Sequence, residues 1–173
     1  MDLFDIKIYG DDVLRKKCKP VEKLTPELVE IAKQMLETMY DAPGVGLAAP
    51  QVGLDIQLVV IDVTHPDDDE RCPYIMFNPE WKEEEDSEPV EFEEGCLSVP
   101  DIFCNVTRPG KVSVRYMDEH GEQKELRNCE GLLARCIQHE IDQLNGVLFV
   151  DKISQSDRML YQSKLRKMAK TQG

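Results

Sequence analysis

A chain of 173 residues with a formal net charge of −13 is large enough to bury one core and is sized for a single domain spanning residues 1–173. Its 41% hydrophobic and 32% charged residues describe a water-soluble globular protein, and the acidic balance excludes a surface that binds DNA as a whole. The longest apolar runs, such as Leu58-Val59-Val60-Ile61, are too short to cross a bilayer, and Met1-Asp2-Leu3-Phe4-Asp5 lacks the basic and then apolar start of a secretion signal, so no membrane is expected and the cytoplasm is the expected location.

In chain order, the first predicted helix runs from Thr25 to about Tyr40. Thr25 is placed to cap it, Pro26 suits the first turn, and Glu27 complements the positive end of the helix dipole. Leu28, Ile31, Ala32, Met35, Leu36, Met39 and Tyr40 recur at helical spacing and predict one buried face. Pro43-Gly44 ends the helix, and a loop from Gly44 to Gly53 leads into a strand at about Ile56 to Val63. Short strands follow at Tyr74–Phe77, Val90–Phe92 and Val112–Tyr116. In the last of these Val112, Val114 and Tyr116 alternate with Ser113, Arg115 and Met117. Asp118-Glu119-His120-Gly121 reads as a turn returning into Gln123–Leu126.

Asn128 is placed to cap a helix from about Cys129 to Leu144, which Asn145-Gly146 would end. A last amphipathic helix, about residues 156–170, carries Met159, Leu160, Leu165 and Met168. Acids gather in the runs Asp67-Asp68-Asp69-Glu70, Glu83-Glu84-Glu85-Asp86-Ser87-Glu88 and Glu91-Phe92-Glu93-Glu94, read as solvated loops and edges. The C-terminus reverses sign: after Asp157 it carries Arg158, Lys164, Arg166, Lys167 and Lys170 and no acid. Mixed short strands around a central helix give an α+β fold.

Six cysteines, Cys18, Cys72, Cys96, Cys104, Cys129 and Cys136, form no C-x-x-C pair and no regular disulfide framework. Most read as buried thiols that act as small hydrophobes. Cys129 and Cys136, seven apart on one predicted helix, suit core or pocket-lining positions, and Cys96 alone has neighbours that suggest ligation.

Those neighbours belong to one of three informative segments. Gln138-His139-Glu140-Ile141-Asp142-Gln143 is one residue away from the H-E-x-x-H helix, in which two His four residues apart grip a metal and the Glu is a general base. Here Gln143 stands at the second His position. Gly44-Val45-Gly46-Leu47-Ala48-Ala49-Pro50-Gln51-Val52-Gly53 is a small-residue loop that includes an amide side chain. Glu94-Gly95-Cys96-Leu97-Ser98-Val99-Pro100 puts a single Cys after a Gly.

Taken in chain order, the three segments resemble the signature motifs of peptide deformylases. Asp11-Asp12-Val13-Leu14-Arg15 with Pro20-Val21 is similar to that family's N-terminus, and Leu144-Asn145-Gly146 to the end of its third motif; the resemblance covers roughly residues 6 to 150. It implies the deformylase α+β fold and hydrolysis of the N-formyl group of nascent chains that begin with formylmethionine. It further implies one divalent metal, typically Fe2+ and sometimes Zn2+, Ni2+ or Co2+, held by Cys96, His139 and the residue at 143. Glu140 would carry the water proton to the leaving amine, while Gln51 and the backbone N–H of Leu97 would hold the formyl oxygen. Gly46 would lie beside the substrate backbone, and Val45, Leu132 and Cys136 would line the methionine pocket. Leu132, Cys136 and His139 do share a helical face by spacing, although plain core packing explains the first two equally well.

Gln143 departs from the family, offering a neutral amide oxygen of similar reach but poorer donor strength toward iron or zinc. His65 and His120, both in predicted turns, have no spacing that nominates them as replacements, and a deficit in metal affinity follows. Two functions of different class are compatible with this sequence: a metal-dependent deformylase, or an impaired homologue that binds formylmethionyl N-termini or the ribosome. Retention of Cys96, Glu140, Gln51 and Leu97 favours the enzyme, and the basic C-terminal helix is the expected ribosome-docking element.

Overall fold

The computed structural model describes residues 2–64 and 70–172. His65 and the acids Asp67, Asp68 and Asp69 lie outside them. The elements follow from three patterns in the sequence.

The first is Leu58-Val59-Val60-Ile61, which forms β2 (Leu58–Ile61) with all four side chains buried. A strand apolar on both faces needs a covering layer on each side. β2 therefore lies inside a five-stranded antiparallel sheet with β1 (Gly46–Ala48), β3 (Tyr74–Glu83), β6 (Lys111–Met117) and β7 (Gln123–Glu130), ordered β1-β2-β3-β6-β7. Leu58 and Val60 face α1 (Pro26–Asp41), where they meet Ala32, Met35 and Met39. Val59 and Ile61 face α2 (Gly131–Leu144), against Ala134, Ile137 and Ile141. The sheet is the middle of three layers. Thr25 does cap α1, its hydroxyl accepting from the Leu28 N–H at 3.2 Å.

The second pattern went unread in the sequence. β5 (Val99–Pro109) pairs with β4 (Pro89–Cys96) in a separate two-stranded sheet. Ile102, Cys104, Val106 and Arg108 point inward, while Phe103, Asn105 and Thr107 point out. The inner face packs on Leu148, Phe149 and Val150 and on Leu165 of α3 (Gln155–Gln172). The alternation is present, but Pro100 and the positive φ of 65° at Asp101 interrupt it at the start, and an Arg takes one of the inward positions.

The third pattern is the junction between β7 and α2, where the structure departs from the expected helix start. Asn128 is not a cap, and Cys129 is in the strand, paired with Val112. α2 begins at Gly131, after Glu130, with no side-chain cap. Gly131 has φ 59°, a left-handed conformation that lets the strand turn directly into the helix and that a side chain would strain. Of the other thiols Cys18, Cys104 and Cys136 are buried, whereas Cys72 is exposed. On α3 Leu165 and Met168 point inward as the amphipathic reading expects, joined by Tyr161, whereas Met159 and Leu160 face solvent. Among the described residues no helix is long and apolar enough to cross a membrane.

Candidate active site

The end of β4, the loop at β1 and the buried face of α2 converge on one cleft of about 420 Å³. Val45, Gly46, Gln51, Cys96, Leu97, Leu132, Cys136, His139 and Glu140 all line it. Gln143 lies deeper, behind these residues and 1% exposed.

A register shift in the β4–β5 pairing between Glu94 and Cys96 presents the thiol at the strand end. Gly95 sits at the shift because a Cβ there would come within 2.5 Å of the Phe103 ring. Glu94 and Cys96, two apart on the strand, both reach His139. The His139 ring meets Glu94 through Nδ1 at 2.9 Å, lies beside Cys96, and stacks on Phe149 with ring centroids 6.1 Å apart. With Nδ1 turned to the Glu94 carboxylate, Nε2 is the ring nitrogen left to meet a cation, the arrangement that orients a ligating imidazole.

Glu94 is itself held by Arg108, at 2.6 and 3.0 Å, and by Arg135 at 2.5 Å. Burial raises its pKa, but hydrogen bonds from His139 and Arg108 outweigh that and hold it at about 2. Arg108 continues to Asp142 at 2.8 Å, and Arg135 donates to the carbonyls of Val106 and Val90 at 2.9 and 2.7 Å. This ion-pair network locks α2 to β4 and β5. The acidic run ending at Glu94 is thus only partly the solvated edge its composition suggests.

Glu140 follows His139 on α2, 5% exposed. Burial pushes its carboxyl up to about 7, a value suited to a group that takes and returns a proton near neutrality. A Cβ on Gly46 would lie 2.5 Å from Glu140 Oε2, so the glycine at the start of β1 is what lets this carboxylate occupy the cleft wall.

Gln51 sits in a short 3-10 turn (Ala49–Val52) after β1. Its Oε1 accepts from the Ala48 N–H at 2.9 Å, which fixes the amide so that Nε2 points to Ser98 Oγ at 3.1 Å and Cys96 Sγ at 3.6 Å. Gln51 therefore presents a donor at the cleft beside the thiol. Gln143 does the same from the other side, with Nε2 3.6 Å from Cys96 Sγ and 3.3 Å from Glu140 Oε1.

A thiol and an imidazole in contact, flanked by a carboxylate, form a donor set suited to a divalent transition metal. Among the described residues no group of three or more His, Cys, Asp or Glu is placed to hold a metal ion. Beside Cys96 and His139, the side chain of Gln143 is a polar neighbour that could add a third donor. Gln143 Oε1 is buried and has no hydrogen-bond partner, so a polar acceptor is available there and the residues fit such an ion.

The model of the polypeptide deformylase family matches residues 3–159. The chain belongs to that family. It is 45% identical over 170 residues to the peptide deformylase of Mesorhizobium japonicum, covering 98% of this chain and 95% of that protein. The crystal structure of a peptide deformylase from Legionella pneumophila superposes with a TM-score of 0.85 at 45% identity, over 99% of this chain and 98% of that one. That of the Thermus thermophilus enzyme gives a TM-score of 0.88 at 38% identity, over 99% and 100%. This full-length likeness bears out the α+β fold expected for a deformylase, and it favours the enzyme over a homologue that merely binds.

Sequence reasoning missed the deformylase's buried charge network, Glu94, Arg108, Arg135 and Asp142, and the aromatic residues Phe92 and Phe103 at the cleft. A signal for Arg108 existed: it continues the inward alternation of Ile102, Cys104 and Val106, where a charge requires a partner.

Proposed function

We propose that this deformylase hydrolyses the N-formyl group of formyl-methionyl chains, releasing formate and a free amino terminus. Cys96, His139 and Gln143 hold one divalent cation, Fe2+ in the native state, with Zn2+, Ni2+ or Co2+ as substitutes. When bound, that ion supplies Lewis-acid activation of water and of the formyl oxygen. Glu140 accepts a proton from the attacking water and returns it to the amine nitrogen as the C–N bond breaks. Nε2 of Gln51, its amide locked by Ala48, and the backbone N–H of Leu97 donate to the oxygen that becomes negative at the tetrahedral stage. Gly46 admits the substrate backbone, and Val45, Leu132 and Cys136 accept the methionine side chain.

The observation that carries this reading is the placement of Glu140, Gln51 and the Cys96–His139 pair around one cleft. Metal-loaded full-length protein, prepared without oxygen, should release formate from formyl-Met-Ala-Ser. Absence of turnover at saturating metal would end the reading for this chain. Nascent chains are the substrate, so the protein acts in the cytoplasm, as a single domain over residues 1–173. The cationic residues of α3 dock it to ribosomal RNA phosphates near the exit of the growing chain.

A further inference from the structure

Gln143 carries an inference that rests on the deformylase reading and goes beyond it. The amide is 1% exposed, and the groups it faces are both acceptors once ionised: Cys96 Sγ at 3.6 Å and Glu140 Oε1 at 3.3 Å from Nε2. The same amide's oxygen is buried without a partner. Such an arrangement is lopsided, with one end of the amide serving two acceptors and the other serving nothing. The two ends are nearly isosteric and exchange by a half-turn about a broad, two-fold terminal torsion. Which end faces Cys96 is therefore decided by the charge there. With Cys96 Sγ and Glu140 Oε1 as its acceptors the NH2 end is favoured; with a cation bound by Cys96 and His139 the oxygen is favoured.

We propose that Gln143 is a reversible third ligand. Its amide turns its oxygen to the cation when metal binds, and turns back to donate to Cys96 and Glu140 when metal leaves. Two consequences follow. The metal-free site is hydrogen-bonded to itself, so the fold does not depend on the ion and metal is held weakly and exchanges. Metal binding also withdraws a hydrogen bond from Glu140 Oε1, freeing that oxygen for the water proton.

The test uses full-length protein stripped by a chelator, with Zn2+ as the probe, and compares Gln143→Leu, Gln143→Glu and Gln143→His by chelator competition. Gln143→Leu should bind Zn2+ roughly tenfold or more weakly than the unaltered chain. Gln143→Glu and Gln143→His should bind roughly 10–100-fold more tightly. In parallel, the Gln143 side-chain NH2 resonances, assigned by their loss in Gln143→Glu, should shift on Zn2+ addition as the amide leaves Cys96. Equal Zn2+ affinity of the unaltered and Gln143→Leu proteins would overturn the proposal. So would NH2 resonances that Zn2+ leaves unmoved, a readout that stands even if Gln143→Leu does not fold. Formate release is measured separately: its absence with the predicted affinities overturns the deformylase reading, and its presence with equal affinities overturns the amide ligand.

Discussion

Glu140 and Gly46 lie against each other in the cleft, and each sets a residue-scale test. Glu140→Ala should lower turnover by about 10²–10⁴ while leaving Zn2+ affinity within a few-fold, if the carboxylate moves a proton and is not a ligand, as proposed. Retained turnover would remove Glu140 from the mechanism. Gly46→Ala should also lower kcat, by up to about 10², since its Cβ would lie 2.5 Å from Glu140 Oε2 and must displace that carboxylate. Unchanged kcat with an intact fold would show that Glu140 tolerates the shift. At this scale the sequence was informative wherever spacing encodes geometry: His139, Glu140 and Gln143 lie on one helix, so their proximity follows from 3.6 residues per turn. Glu94 was not legible, because its run of acids looks like a solvated edge and the arginines that bury it come from elements 14 and 41 residues away.

At the scale of elements, the charge network joins α2 to the β4–β5 sheet. The side chains of Glu94, Arg108 and Arg135 are at most 8% exposed, so removing the Glu94 charge leaves buried Arg135 without its anion and Arg108 with Asp142 alone. Glu94→Gln is expected to cost about 3–5 kcal/mol in urea unfolding; a loss below about 1 kcal/mol would mean that the arginines find other partners or water. A second link ties the N-terminal segment to the turn before α3, where Arg15 pairs with Asp151 at 2.6 Å and with the Gly146 carbonyl at 3.0 Å. Burial raises the pKa of Asp151, but hydrogen bonds from Arg15 and the Leu148 N–H outweigh it and the net shift is downward. The pair therefore stabilises the fold above about pH 4, the ordinary carboxylate range, and that contribution fades as pH falls through the lower folded value. Because both partners are partly exposed, Arg15→Met should cost only about 0.5–1 kcal/mol at pH 7, with the difference from the unaltered protein vanishing in strong acid. A difference that persisted there would assign it to packing. The same scale shows why α1 was legible and β5 was not. A capped, periodic 16-residue helix declares itself, whereas β5 has a proline and a left-handed Asp101 as its second and third residues and buries an arginine whose partners lie elsewhere.

On the scale of the whole molecule, the −13 net charge and the cationic α3 pull in opposite directions. α3 is no loose tail: Leu165 is buried against β5, Arg158 donates to the Val150 carbonyl at 2.6 Å, and Lys164 to that of Asp101 at 3.1 Å. Truncation would expose core, so charge removal is the cleaner test. Replacing the exposed Arg166, Lys167 and Lys170 with Gln should weaken ribosome co-sedimentation and flatten its salt dependence, with hydrolysis of short peptides unchanged. Undiminished binding would leave these residues as solvating charge. The central claim is that a Cys–His pair completed by a glutamine amide still supports deformylation. Its most direct test is formate release from formyl-Met-Ala-Ser as a function of added Fe2+ or Ni2+, for the unaltered chain and for Gln143→His. The account predicts turnover in both, with the unaltered chain requiring much more metal for half-maximal rate. Turnover in Gln143→His alone, with none in the unaltered chain at any metal concentration, would contradict it.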